Sequence, residues 1–335
     1  MWTLTGRRGR PRPALGFRDA STAAMACRAV VLPRLGGPEV LEVRSAVGVP
    51  NLKPRDVLVR ARAVSINPLD FRMRSGYGRS IFEPLLPLIL GRDISGEVAA
   101  VGSSVSSLTV GCDGFGALHP TAVRGTYADY AILSEDELTI KPSSVTRGAD
   151  NNECYQVGLL ALMVQMVKLQ GAVCQPHVEV RALIEFLKSV LSKLLITAED
   201  IESAIKEQFD VVLDTIGIPE TERIGINLLK KGGHYMTLQG EAASLADRYG
   251  LAIGLPAAMA ILLKKQVLYR CSHGIEYWWT YMRADAEGLD EIRRLSEAGK
   301  LKIPVEKTFP ITQVREAHEV KDKRLVPGKV VLEVD

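Results

Sequence analysis

The hydrophobic pattern of this chain changes period once, and that change limits what it can fold into. From Cys27 to about Lys141, short runs alternate apolar and polar residues between glycines. Arg28 to Leu32, Leu41 to Arg44 and Asp56 to Ile66 read as strands with one wet face. GRDISGEVAAVG (91–102) reads as turn, strand, turn, and further glycines stand at 111, 114, 116 and 125. Short strands between glycine turns predict a barrel-like β unit. From about Tyr155 to Arg283 the text alternates helical stripes with short, largely apolar runs. Leu183, Ile184, Leu187, Val190 and Leu191 make one stripe, and Thr197 with Asp200 resembles a capping box. Phe209 to Asp214 and Gly233 to Leu238 read as buried strands of a parallel sheet. Asp285 to Gly299 predicts a helix, and GKVVLEV (328–334) a closing strand. A chain of 335 residues is too long for one ordinary core. The expected division is a β unit over 27–150, completed by 285–335, and a strand–helix unit over 151–284.

Two apolar runs raise the question of a membrane. YQVGLLALMVQMVKLQGAVC (155–174) is continuously apolar only from Val157 to Val164 and then carries Gln165 and Lys168. A span needs roughly 20 residues with few polar breaks. Both this run and Ala257 to Leu263, ended by Lys264 and Lys265, therefore read as buried helices, with no transmembrane span expected. Net charge is +3, and no helix-turn-helix or RRM-like pattern occurs, so no nucleic-acid partner is expected. Cys27, Cys112, Cys154, Cys174 and Cys271 are odd in number and form no CxxC pair, which points to reduced thiols. Residues 1–26 differ from the rest. Arg7, Arg8, Arg10, Arg12 and Arg18 precede the first acid, Asp19, and Ser21 and Thr22 follow. Arg-rich, acid-poor and hydroxyl-bearing is the composition of a mitochondrial transit segment, and a disordered basic tail is the other reading.

SINPLDFRMRSGYG (65–78), LPLILGRDISGEVAAVGSSV (86–105) and GTYADYAILSEDELTIKP (125–142) resemble zinc-free quinone oxidoreductases of the medium-chain dehydrogenase/reductase superfamily. FDVVLDTIG (209–217), HYMTL (234–238), YWWTYM (277–282) and LDEIRRLSEAGKLKIPVEKTFP (289–310) carry the same resemblance. It implies a mixed α/β fold: a GroES-like catalytic domain closed by the C-terminal tail, and a Rossmann-type cofactor domain. It implies hydride transfer from NADPH, or NADH, to a quinone or enone in mitochondria, most naturally the matrix. It also implies a link to ubiquinone metabolism, a reticulon partner and a homodimer through the cofactor domain. Zinc members carry Gly-His-Glu where this chain has Gly91-Arg92-Asp93, and arginine is not a metal ligand, so no metal is expected.

The resemblance also assigns residues. Asn67 stands where the family places an amide near the nicotinamide and substrate; before Pro68 it could equally be a turn residue. Arg72 could stabilise an enolate or quinol oxygen, or be a solvated surface cation. Tyr77 borders the substrate in this reading, and Asp70 with Arg74 forms an ion pair of the same loop. Trp278, Trp279, Tyr281 and Met282 follow the pattern of an aromatic segment facing the nicotinamide, and core packing explains them as well. Of these, Trp279 and Tyr281 are the expected cofactor contacts, with Thr215, Gly217, Leu238 and Gly328.

One part departs from the family. A Rossmann unit opens with a strand, a glycine-rich turn and a helix whose N-terminus takes the pyrophosphate. QMVKLQGA (165–172) matches the end of that helix. RGADNNECYQVGLL (147–160), upstream of it, holds no strand and no GxGxxG, and Gly148 and Gly158 are too far apart for one phosphate turn. The expected cofactor domain therefore lacks its first strand and glycine loop. Two readings follow: a metal-free NAD(P)H-dependent quinone or enone oxidoreductase, and a catalytically impaired variant acting only through a protein partner.

Overall fold

The structure is a computed structural model that describes residues 25–141, 208–238, 240–280, 284–298, 305–323 and 329–334. The expectations placed on 1–24 and 142–207, including the transit segment, the glycine-loop region, the helices around Leu187 and Thr197, and the run Val157–Val164, lie outside the described residues.

The first half is β-rich. β1 (Ala26–Leu32) pairs antiparallel with β2 (Glu42–Gly48) and with β4 (Leu88–Ile89). A larger sheet is built on β3 (Asp56–Ser65), whose DVLVRARAVS alternation buries one face and wets part of the other. Along one edge β3 pairs with β5 (Asp93–Val101), which pairs in turn with β6 (Asp113–Ala117) and β8 (Leu138–Ile140). Along the other edge, β7 (Tyr130–Ser134) pairs with the first half of β3. Two short helices lie between β3 and β4: α1 (Pro68–Arg74) and α2 (Arg79–Phe82).

The second unit is a parallel sheet in the order β11–β10–β9, formed by β9 (Phe209–Asp214), β10 (Leu229–Thr237) and β11 (Glu276–Trp279). α3 (Pro219–Asn227) joins β9 to β10, and α4 (Ala242–Tyr249) with α5 (Leu251–His273) joins β10 to β11. Strand, helix, strand with parallel pairing is the βαβ arrangement. Its core holds Ile226, Leu229, Tyr235, Ala258, Ile275, Tyr277 and Trp279.

The chain then returns. α6 (Ala286–Glu297) has Asp285 as its N-cap, accepting from Gly288 N at 3.0 Å. β12 (Val305–Pro310), α7 (Val314–Asp322) and β13 (Lys329–Glu333) follow. β13 pairs with β3 at Ala63–Ser65, beyond the part of β3 that β7 occupies, and β12 adds outside it. The tail thus completes the β3 sheet, and Ile66 N donates to Val330 O at 2.9 Å.

One expectation is corrected here. The run from Ala257 to Leu263 is not a buried helix. It belongs to the 23-residue α5, in which Gly254 and Ala258 are the buried residues. Gly254 lies against the backbone of α4 at Ala246, Ala258 is buried in the core with Ile261 and Leu262 packed beside it, and Met259 and Leu263 point outward. By length and composition α5 is apolar enough to cross a membrane.

Candidate active site

The fold gathers polar groups where β3, β5 and β13 meet the start of α1. Asp93, the first residue of β5, is buried. Its carboxylate accepts from Ser65 N at 2.7 Å, from Ser65 Oγ, and from Asn67 Nδ2 at 2.9 Å. Lys329, the first residue of β13, reaches the same group from the tail. Its Nζ lies 2.6 Å from Asn67 Oδ1, 2.9 Å from Ser65 Oγ and 3.5 Å from Asp93 Oδ2. The Asn67 amide is therefore held at both ends, oxygen on a cation and nitrogen on an anion.

Asn67 is the N-cap of α1, a position where an asparagine side chain normally accepts from the first-turn amides. Here its side chain makes no such bond. The reciprocal half of the motif is made instead: Asp70 Oδ2 accepts from Asn67 N at 2.8 Å. Asp70 secures the backbone of the turn and leaves the Asn67 amide to Asp93 and Lys329.

Asp70 is not the partner of Arg74, which corrects the expected ion pair. Its second oxygen accepts from Gly91 N at 3.0 Å. Burial pushes its carboxyl up to about 6, against the opposing pull of Arg92. Arg74, one turn further along α1, reaches α7, with Nη2 2.5 Å from Asp322 Oδ2 and Nη1 3.1 Å from His318 Nδ1. Being four residues apart puts Asp70 and Arg74 on one side of α1. The N-cap claims Asp70 first, and the tail offers Arg74 a carboxylate. Arg92 is buried, donating to Gly91 O at 2.9 Å and to Met73 Sδ at 3.2 Å.

Arg72 and Tyr77 lie together, the guanidinium 5.5 Å from the ring centroid, and both are half-buried. Burial raises the Tyr77 phenol above its ordinary value, so it stays protonated and can donate. The next residues tie this loop to the parallel sheet unit. Asp247 of α4 accepts from Gly78 N at 2.8 Å and Ser80 N at 2.9 Å, and Ser80 Oγ donates to Ala246 O at 2.7 Å. α4 starts just after the C-terminal end of β10, so Tyr77 is held near the edge where open parallel sheets bind ligands.

At that edge the expected cofactor residues divide. Thr215 is exposed just beyond β9. Gly217 follows with a positive φ of 70°. The amides of Ile216 and Gly217 both donate to Asp214 Oδ1 at 2.8 Å, so this turn is closed on its own carboxylate. Asp214 Oδ2 also accepts from Thr221 Oγ1 and Tyr235 OH, at 2.7 and 2.6 Å. Leu238 directly follows β10, its amide bonded to Asp214 O. Trp279 is a buried core residue of the sheet, and its exposed neighbour is Trp278. Tyr281, Met282 and Gly328 lie outside the described residues.

Beside Leu238, Thr280 directly follows β11. Its amide donates to Thr237 O at 2.8 Å, and its hydroxyl is buried with no hydrogen-bond partner. A buried hydroxyl without a partner is costly and marks a place for a polar ligand group. The ends of β10 and β11 thus suit the carboxamide of a nicotinamide. The pyrophosphate end has no matching feature among the described residues, because the turn after β9 is closed on Asp214. Asp93, Lys329 and Thr280 escaped sequence reasoning as site residues. Asp93 was legible only as the third residue of Gly-Arg-Asp, and Lys329 only as the residue after Gly328.

Two family models match the chain: alcohol dehydrogenase GroES-like domain over residues 53–143, and zinc-binding dehydrogenase over 195–332. NAD(P)H oxidoreductase RTN4IP1, mitochondrial, of Mus musculus is 28% identical over 378 aligned positions, covering 97% of this chain and 93% of the relative. The aligned stretch is longer than the chain itself, so that relative carries segments with no counterpart here. Quinone oxidoreductase of Sus scrofa is 34% identical over 43% of each protein. Among solved structures, the quinone oxidoreductase from Coxiella burnetii superposes with a TM-score of 0.67 at 21% identity, covering 93% of this chain and all of that one. With both domain types present in order and in the expected fold, the chain belongs to the medium-chain dehydrogenase/reductase superfamily.

Proposed function

We propose that this chain is an NAD(P)H-dependent oxidoreductase that reduces a quinone or an enone, with no metal in the reaction. The observation that carries the reading is the Asn67 amide clamped between Lys329 and Asp93. The relatives named as NAD(P)H and quinone oxidoreductases support it. When bound, the nicotinamide supplies the hydride and the protein supplies orientation and electrostatics. Asn67 orients a ligand group at a fixed position. Lys329, already held by three oxygens, sets a positive charge beside it and stabilises oxygen charge that develops on the acceptor. Tyr77 contributes a protonated hydroxyl at the cleft. The metal-free reading is supported by Arg92, whose guanidinium cannot ligate.

A second reading has its own observation. RGADNNECYQVGLL offers no glycine turn, and the mouse relative is longer in alignment than this whole chain. Without a pyrophosphate cradle, cofactor affinity falls and the chain acts through a partner; the resemblance makes that partner a reticulon. A turnover assay separates the two readings. Under the enzyme reading, oxidation of NADPH or NADH saturates with a simple quinone or a conjugated enone. Absence of acceptor-dependent oxidation with every pair overturns it. We further propose entry into mitochondria through residues 1–26, supported by relatives named mitochondrial. Unchanged mitochondrial uptake after removal of residues 1–20 would overturn that proposal.

A further inference from the structure

α5 has two unlike sides. Its inner side is bound to α4 and the parallel sheet: Gly254 lies against Ala246 of α4, Ala258 is buried, Ile261, Leu262 and Tyr269 pack on the core, and Gln266 Nε2 donates to Tyr277 O at 3.1 Å. Lys265 faces the same way and pairs with Glu222 at 2.8 Å. The outer side carries Ile253, Met259, Leu263 and Val267, which are 65, 56, 55 and 64% exposed. Met259, Leu263 and Val267 follow one another at intervals of four, a continuous line along the helix. No charged residue occurs from Leu251 to Leu263, and the helix contains no acid at all. Two cations border its C-terminal half: Lys264 is exposed, and Lys231 lies against Gly274 at the helix end. The nearby acid, Glu276, is paired with Arg270.

We propose that this face rests on an anionic phospholipid surface. An exposed apolar line of this length is not left to water without use. An apolar stripe with basic residues at its rim is the composition that seats a helix in the headgroup region, where apolar burial and attraction to anionic lipid add. The helix lies on the surface and does not cross it, because crossing would tear Ala258, Gln266 and Tyr269 from the sheet. A second copy is the poorer occupant. Two such faces meeting about a twofold axis bring Lys264 and Lys231 of each copy against a helix with no acid of its own to receive them.

The test is flotation of the purified full chain with vesicles of phosphatidylcholine alone and of phosphatidylcholine mixed with phosphatidylserine. The parent chain is expected to float with the anionic vesicles and weakly with the neutral ones. Met259→Glu combined with Val267→Glu, both on exposed positions, is expected to lower that partition at least about tenfold. Its oligomeric mass by light scattering and its thermal unfolding should match the parent. Lys264→Gln should weaken binding to anionic vesicles and leave neutral binding unchanged. A parent chain that stays unbound with both vesicle types overturns the proposal. A double variant that floats like the parent also overturns it, assigning binding to the arginines of the N-terminal segment. A dimer dispersed by the double variant, with no vesicle binding by the parent, overturns it in favour of a second copy.

Discussion

At the scale of single residues, the fold arranges competition for polar partners, and the winners set the site. Asn67 loses its capping role to Asp70 and is thereby available to Asp93 and Lys329. Lys329→Met removes the cation while keeping most of the side-chain volume. In steady-state assays it should lower kcat at least about tenfold, and Asn67→Ala should do the same, since each removes a fixed electrostatic contact that strengthens as charge develops. Parent-like kcat in both variants would remove this group from the chemistry.

A second residue-scale prediction concerns His318, buried between Arg74 and the ring of Tyr127. Burial first, and the Arg74 charge second, depress its imidazole to about 3. The unfolded chain takes up this proton near 6.5 and the folded chain does not, so stability falls as pH drops from about 6.5 towards 3, by up to about 1.4 kcal/mol per pH unit. His318→Gln keeps an acceptor for Arg74 and does not titrate. Its melting temperature should fall less than the parent's between pH 7.5 and 4.5. Asp70 shifts in the opposite sense and is present in both proteins, so it drops out of the comparison. Parallel pH curves for parent and variant would contradict the assignment.

At the scale of elements, the close approaches are as specific as the polar contacts. A Cβ on Gly96 of β5 would meet the carbonyl of Arg60 on β3. Backbone cannot yield there without parting the central strands of the sheet. Gly96→Ala should therefore cost about 3 kcal/mol or more in denaturant unfolding, a value reserved for strong backbone or core disruption. A second contact joins the two units: the Asp247 carboxylate receives two backbone amides at the start of α2. Asp247→Ala leaves both unpaired and should cost about 1 kcal/mol of stability. It should also raise KM for the acceptor, because Tyr77 adjoins that turn; an unchanged KM would separate the latch from the cleft.

Strands were the most readable elements. Phe209 to Asp214 was legible because Val211, Val212 and Leu213 make a short apolar run between two aspartates, which suits a short strand of a parallel sheet, although the strand is only half-buried. The return of the tail to β3 was suggested by GKVVLEV, but its register was not, since registry depends on which part of β3 is left free by β7. α5 was misread for a related reason. An apolar run shows that water is unfavourable but not what replaces it, and here only Gly254 and Ala258 are fully buried while Met259 and Leu263 of the same run stay exposed. The Asn67 group was half legible. The NPLDFRMRSG segment marked Asn67, whereas Asp93 and Lys329 lie 26 and 262 residues away along the chain and meet it only through the sheet.

At the scale of the whole molecule, the chain joins a polar cluster on the β3 sheet to the C-terminal edge of a parallel sheet. The first offers a clamped amide and a cation. The second offers Leu238 and the unpartnered hydroxyl of Thr280. These suit the reactive end of a nicotinamide, while the sequence provides no glycine turn for its pyrophosphate. The account therefore rests on cofactor binding carried largely by the reactive end. The most direct test is a titration of NADPH into the purified chain, following thermal unfolding and nicotinamide fluorescence together. The account predicts saturable fluorescence and a melting temperature that rises with the logarithm of NADPH, reaching about 2.7 kcal/mol of stabilisation at a hundred times the Kd. A melting temperature and fluorescence that do not respond at millimolar NADPH would contradict it.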